Sequence, residues 1–105
     1  MNGYCRFEIL LPLAFNDGRP VPHEFLAETA AEIQGRFGGV SWESQVIEGI
    51  WFAGGIQYRD QLNRIFVDAE DTKENRQFFA SLKARLKSRF EQLDIWLTVH
   101  PIEVL

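Results

Sequence analysis

Between Ile95 and His100 the chain alternates without a break: Ile95, Leu97 and Val99 are aliphatic, and Trp96, Thr98 and His100 can all hydrogen-bond. Successive side chains on a strand point to opposite faces of a sheet. The run therefore predicts a strand with one oily side and one aromatic-polar side. Such a strand demands a layer that covers the oily side, and it leaves a second face to be explained. A lone small sheet ordinarily shows water plain charged residues there.

The remaining elements follow from the same periodicities. Cys5–Leu11 alternates, with Cys5, Phe7, Ile9 and Leu11 facing one way and Arg6, Glu8 and Leu10 the other, and reads as the first strand. Asn16-Asp17-Gly18-Arg19-Pro20 is a loop of turn formers. A first helix is predicted from about Pro22 to Phe37, with Leu26, Ala30, Ile33 and Phe37 as its apolar stripe and Gly38-Gly39 as its stop. Glu24, Glu28 and Glu32 form an acidic row on it. Val40–Phe52 reads as extended, with Gly49 as a bulge or bend, and Ala53-Gly54-Gly55 turns the chain. Ile56–Asp60 either lengthens this hairpin or forms a loop. Arg64–Glu70 returns as a strand, with Ile65, Val67 and Ala69 opposed to Arg64, Phe66 and Asp68. Asp71 or Thr72 caps a second helix, whose stripe is Phe79, Leu82, Leu86, Phe90 and Leu93. The last strand continues through Ile102 and Val104, and Pro101 marks it as an edge or a bulge.

The order strand, helix, strand, strand, helix, strand is the split βαβ pattern of a ferredoxin-like α+β sandwich. Right-handed crossovers put both helices on one face of a four-stranded antiparallel sheet. The predicted strand order is fourth, first, third, second. At 105 residues, 46% hydrophobic and 25% charged, the chain suits one globular domain spanning 1–105. A 13% share of aromatic residues exceeds what one small core needs and leaves rings for a partner surface.

The face away from the helices collects Glu8, Leu10, Arg64, Phe66, Asp68, Trp96, Thr98 and His100, with Trp51 or Trp42 joining from the second strand. Two functional readings compete for it. In the first, Arg64, Phe66, Trp96 and Trp51 are interface or ligand residues, and a second copy covers an apolar patch that a monomer would leave wet. In the second, the face lines a pocket: His100 is a base, Glu8 or Asp68 its acidic or orienting partner, and Arg64 the holder of an anionic substrate. The plainer account makes Arg64, Glu8 and Asp68 surface ion pairs and His100 a solvated strand-end residue, since structural ion pairs imitate active sites.

Other chemistry finds little support. The net charge of -4 argues against a nucleic-acid partner. Asn63-Arg64-Ile65-Phe66-Val67-Asp68 also lacks the basic-Gly-aromatic signature of RNA-recognition strands. His23 and His100 are the only histidines, and no His-x-x-x-His or paired cysteine accompanies them, so no metal and no cofactor is expected. The single Cys5 is read as a buried hydrophobe in a reducing cytoplasm. Met1-Asn2-Gly3-Tyr4-Cys5-Arg6 does not read as a signal peptide, and no apolar stretch is long enough for a membrane span. Lys83, Arg85, Lys87 and Arg89 read as a solvated helical face.

Arg36-Phe37-Gly38-Gly39-Val40-Ser41 followed by Glu48-Gly49-Ile50-Trp51 resembles a family of small uncharacterised bacterial proteins with a Phe-Gly-Gly-x-Ser/Thr helix end and a Gly-x-Trp strand. Phe78-Phe79, Leu82-Lys83, Leu86-Lys87, Arg89-Phe90 and Gln92 extend the likeness over most of the chain. It carries no catalytic residue. The element order is also similar to that of dimeric α/β-barrel proteins, in which two such sheets enclose a cavity. The expectation is therefore a homodimeric binding or interaction module, assembling through the helix-free sheet face or the exposed edge of the final strand, that can also contact another protein, with a small dimeric-barrel enzyme as the alternative.

Overall fold

The structure is a computed structural model and describes residues 3–105. Met1 and Asn2, part of the stretch read as lacking a signal peptide, lie outside the described residues. The elements run β1 (Tyr4–Pro12), α1 (His23–Phe37), β2 (Ser41–Trp42), β3 (Ile47–Ala53), β4 (Ile56–Glu70), α2 (Lys73–Arg89) and β5 (Trp96–Ile102). All strand pairs are antiparallel. The sheet order is β2-β4-β1-β5, and β3 pairs with β4. This is the ferredoxin-like α+β arrangement read from the periodicities, with β1 and β4 central and β5 at an edge.

Alternation decides which face is covered. Cys5, Phe7, Ile9 and Leu11 of β1 are buried together with Ile65, Val67 and Ala69 of β4. They pack against Ala30 and Ile33 of α1 and Phe79, Leu82 and Leu86 of α2. Both helices therefore lie on that one face. Gly38 adopts φ 81 and ends α1 with its N–H on the Gln34 carbonyl, a left-handed conformation that costs glycine little. The Thr72 hydroxyl caps α2 by accepting from the Asn75 N–H.

The helices meet through charge as well as oil. The acidic row of α1 faces the basic side of α2: Arg89 donates to Glu32 at 3.1 and 3.2 Å and to the Thr29 hydroxyl at 3.0 Å. Arg85 lies 3.7 Å from Glu32. Part of the basic face read as solvated is thus spent between the helices. Arg89→Ala should destabilise by about 1.5 kcal/mol, because Glu32 keeps only the more distant Arg85 and the Thr29 hydroxyl loses its donor at a half-buried contact. A urea midpoint unchanged from the parent would refute this.

Four local features differ from the sequence reading, the first being that β5 ends at Ile102 and does not continue through Val104. The second strand divides into β2 and β3, separated by residues 43–46. Gly49 makes no bulge, since the register Glu48↔Gln61, Gly49↔Asp60, Ile50↔Arg59 is continuous. Leu93 is exposed at 93%. The helix stops at Arg89, the chain turns through Glu91 at φ 53, and Ile95 enters the core in its place.

The hairpin is longer than the body beneath it. The β1 ladder ends at Pro12↔Leu62, with one further bond from the Leu13 N–H to the Gln61 carbonyl. Beyond it, the pairs from Gly49↔Asp60 to Ala53↔Ile56 form a two-stranded ribbon. Gly54 at φ 58 and Gly55 at φ 79 close it. Two successive positive φ values define the I′ turn, whose twist matches a two-residue hairpin.

Candidate functional site

Register places the predicted residues on one face. Arg6, Glu8 and Leu10 of β1 lie across from Asp68, Phe66 and Arg64 of β4 on one side, and across from His100, Thr98 and Trp96 of β5 on the other. The parity continues into the hairpin through Leu62, Asp60, Tyr58 and Ile56, paired with Ile47, Gly49, Trp51 and Ala53. The helix-free face therefore holds Glu8, Arg64, Phe66, Asp68, Trp96, His100 and Trp51 together. Trp42 pairs with Ile65 and belongs to the helix side.

The face divides into two halves. One half is polar and internally paired. Arg6 binds Asp68 in a fork, with Nε–Oδ1 at 2.8 Å and Nη2–Oδ2 at 3.0 Å. Arg64 donates to Glu8 at 2.9 Å and also to Glu43, which follows β2. Phe66 lies between the two guanidiniums, 4.4 Å from Arg6 and 5.2 Å from Arg64, a geometry that favours cation–π attraction. His100 Nε2 is 2.7 Å from the Thr98 hydroxyl and 3.9 Å from Glu8 Oε2. Asp68 is one strand further away across β1, about 10 Å by strand spacing. The structure thus brings His100 to Glu8 and not to Asp68.

This pairing has electrostatic consequences. The Arg6 hydrogen bonds hold the Asp68 carboxyl below the usual carboxylate range. Its contribution to stability is present above that range and is lost as pH falls through the depressed value. Asp68→Asn should flatten the acid limb of stability below about pH 4. A limb as steep as the parent's in urea melts would contradict this. Glu43, by hydrogen bond, and Glu8, by its field, hold Arg64 firmly charged. An anionic substrate at Arg64 would have to displace one of these carboxylates.

The other half is apolar and lies toward the hairpin. Trp96, Leu10, Pro12, Leu62, Ile47, Trp51, Tyr58 and Ile56 form a band across the four strands. Trp96 is 66% exposed, Trp51 41% and Tyr58 43%. A Cβ at Gly49 would lie 3.2 Å from the Trp51 ring and 3.5 Å from Leu62. Gly49 is the seat on which the indole folds back, a close approach that a strand glycine permits. Asp60 stands in this band opposite Gly49, and burial pushes its carboxyl above the ordinary range. Among the described residues it has no cationic partner within 4.0 Å.

Sequence reasoning did not identify Tyr58, Asp60, Leu62 or Glu43. The first three lay in or beside a stretch left between hairpin and loop, although the Gly54-Gly55 pair inside an alternating run is the signal of a tight hairpin. Of the residues predicted for the candidate face, the two cavities described on the helix side involve Trp42 alone. One, of about 220 Å³, lies between α1 and β2 and includes Leu26, Val40 and Trp42. The other, of about 100 Å³, lies among Leu11, Val21, His23 and Phe90. Among the described residues no group of three His, Cys, Asp or Glu side chains is placed to hold a metal ion. Among the described residues no helix is long and apolar enough to cross a membrane.

No protein-family model matches the chain. No curated protein matches it either. Solved structures do. A phage SAM lyase in complex with S-methyl-5'-thioadenosine superposes with a TM-score of 0.71 at 16% identity, covering 96% of this chain and 83% of that one. The divalent cation tolerance protein CutA1 from Thermus thermophilus superposes with a TM-score of 0.67 at 17% identity, covering 97% and 86%. The apo state of the phage SAM lyase gives 0.59 at 17%, covering 95% and 81%. At these identities the likeness is one of architecture, and it shows that this chain has the ferredoxin-like fold shared by those proteins.

Proposed function

We propose that the chain is a cytoplasmic, single-domain interaction module that works as a homodimer, held at the hairpin end of its helix-free face. The observation that carries this reading is the apolar band from Trp96 to Tyr58. It continues past the body onto a ribbon that has no domain beneath it. Ile50, Trp51, Phe52, Ile56 and Tyr58 are each 41–71% exposed. At side-chain areas on the order of 200 Å² each, they leave roughly 500 Å² open. A standard interface buries about 800 Å² per partner, of which Trp51, Ile56 and Tyr58 on the helix-free side supply about a third and Ile50 and Phe52 on the other side of the ribbon a similar share. The two segments that resemble the small bacterial family have structural roles here: Phe37-Gly38-Gly39 ends α1, and Gly49-Ile50-Trp51 builds the indole seat. Light scattering on a size-exclusion column tests the reading. A dimer is expected at micromolar concentration, and a clean monomer at high micromolar concentration removes it.

The second reading is a small enzyme on the polar half, favoured by the 3.9 Å approach of His100 to Glu8. His100 would act as base, Glu8 would orient it, and Arg64 would hold the substrate once a carboxylate yields. Asp68, engaged by Arg6, has no part in it. The likeness to a SAM lyase suggests the first substrate to offer. Release of S-methyl-5'-thioadenosine from SAM, abolished by His100→Ala, would favour this reading; no release would count against it.

A further inference from the structure

The two open edges of the sheet are built differently. β5 carries Pro101, which has no N–H to offer, beside His100. A proline blunts an edge against further pairing. β3 reads Ile47-Glu48-Gly49-Ile50-Trp51-Phe52-Ala53, with no proline, no lysine and no bulge. Among the described residues its outer side pairs with nothing. Its side chains toward the hairpin are apolar on both faces, Trp51 on the helix-free side and Ile50 and Phe52 on the other, and Glu48 is its one charged residue. A long flat edge of this kind invites another strand.

The direction of its free hydrogen bonds can be worked out. The Gln61 carbonyl accepts from the Leu13 N–H, so it points to β1 and away from β3. Glu48↔Gln61 is then a non-hydrogen-bonded pair of the hairpin. Alternation along an antiparallel ladder makes Ile50↔Arg59 and Phe52↔Gln57 non-bonded as well. The two-residue turn agrees, since it closes on a bonded Ala53↔Ile56 pair. The backbone groups of Glu48, Ile50 and Phe52 therefore all face outward.

We infer that β3 pairs antiparallel with β3 of a second copy, about a twofold axis at Ile50. This rests on the homodimer reading and names its contact. The register follows from the sequence of the edge. Centring on Ile50 pairs all seven residues of β3. It sets Glu48 against the partner's Phe52 and keeps the two Glu48 carboxylates about 13 Å apart. Centring on Glu48 would oppose like charges directly, at a cost. In the Ile50 register Trp51 lies across from the partner's Gly49, over which the partner's own Trp51 ring folds, so the two indoles become neighbours on the helix-free side. The two sheets become one, and the apolar bands of the two helix-free faces join across the axis. An isologous contact of this type closes at two copies.

Charge exchange at Ile50 tests the inference. Ile50 is 59% exposed, so the substitution leaves the monomer core intact, which far-ultraviolet circular dichroism verifies. Ile50→Lys and Ile50→Glu should each weaken the dimer by at least ~30-fold, because like charges meet across the axis. An equimolar mixture of the two should restore a dimer within about threefold of the parent. Ile50→Cys should cross-link to a covalent dimer under oxidised glutathione, whereas Phe52→Cys should not. A dimer untouched by both Ile50 charges yet dissolved by Trp96→Ala would overturn the edge contact while sparing the homodimer, since Trp96 lies three strands from β3. A ring of three or more copies would likewise exclude a twofold edge. A monomeric parent protein, with the edge kept for another protein's strand, would defeat the homodimer itself.

Discussion

Phe79→Ala is expected to destabilise the folded chain by about 4 kcal/mol, the largest effect of any single truncation considered for this fold. Phe79 is 2% exposed and sits where four aromatic rings meet. It stacks on Phe7 at 4.2 Å and on Phe37 at 5.5 Å, and Phe78 meets it edge-on at 5.1 Å. One side chain thus joins α2 to β1 and to the end of α1. Truncation removes its burial, opens a cavity that three rigid rings cannot fill, and forfeits stacking worth about 0.5–1.5 kcal/mol per pair. A domain of this size has on the order of 5–15 kcal/mol in total. The midpoint of thermal unfolding should fall by roughly 20 °C. Phe79→Leu keeps most of the volume and should cost no more than about 1.5 kcal/mol. A negligible loss for Phe79→Leu in guanidinium melts would mean that the ring stack contributes nothing beyond generic burial, and equal losses for the two variants would mean that apolar volume without the ring recovers nothing.

That cluster was legible from spacing alone. Phe79, Leu82, Leu86 and Phe90 recur at helical intervals, and Cys5, Phe7, Ile9 and Leu11 at strand intervals. Burial enforces those periods, so the covered face could be read directly. Leu93 escaped the reading because a periodic stripe carries no information about where the helix stops. Here the stop is a left-handed Glu91, a residue type that does not announce such a turn. The second strand was harder for the opposite reason. The ribbon beyond Leu62 is buried on neither face, so no core imposes a parity on it. Gly49 reads as a bulge or bend from the sequence, and only the position of the Trp51 ring reveals a close approach instead.

The candidate site shows the same limit. The members of the helix-free face follow from parity once the order of the strands is known, and Glu8, Arg64, Phe66, Asp68, Trp96, His100 and Trp51 do share it. Pairing within the face does not follow from parity. Arg6 takes Asp68 because they lie directly opposite across the β1–β4 ladder. Arg64 takes Glu43 because the chain leaves β2 just there. Glu43 comes from an irregular segment that no period describes. The separation into a paired polar half and an unpaired apolar half is therefore a product of the fold, and it moves the weight of the functional argument from His100 to the hairpin.

Trp51→Ala should raise the dimer dissociation constant by about 30- to 100-fold. In the isolated chain the indole is 41% exposed and rests on Gly49 beside Leu62. Losing it there removes partial burial only, a cost of about 1 kcal/mol to the monomer. In the proposed edge-paired dimer the ring lies beside the axis, next to the partner's Gly49 and the partner's Trp51, and loses part of its remaining exposure. Tryptophans in such positions are typical hot spots, worth about 2–3 kcal/mol on truncation. The two effects separate experimentally, because urea melts at nanomolar concentration report the monomer and sedimentation equilibrium reports association. Trp42→Ala is the matched control. Its ring is 52% exposed but lies on the helix side against α1, so it should leave the dissociation constant unchanged. If both tryptophan variants weakened association alike, exposed aromatic area rather than the position of Trp51 would govern assembly. If neither did, the band at the hairpin end would not be where copies of this chain meet.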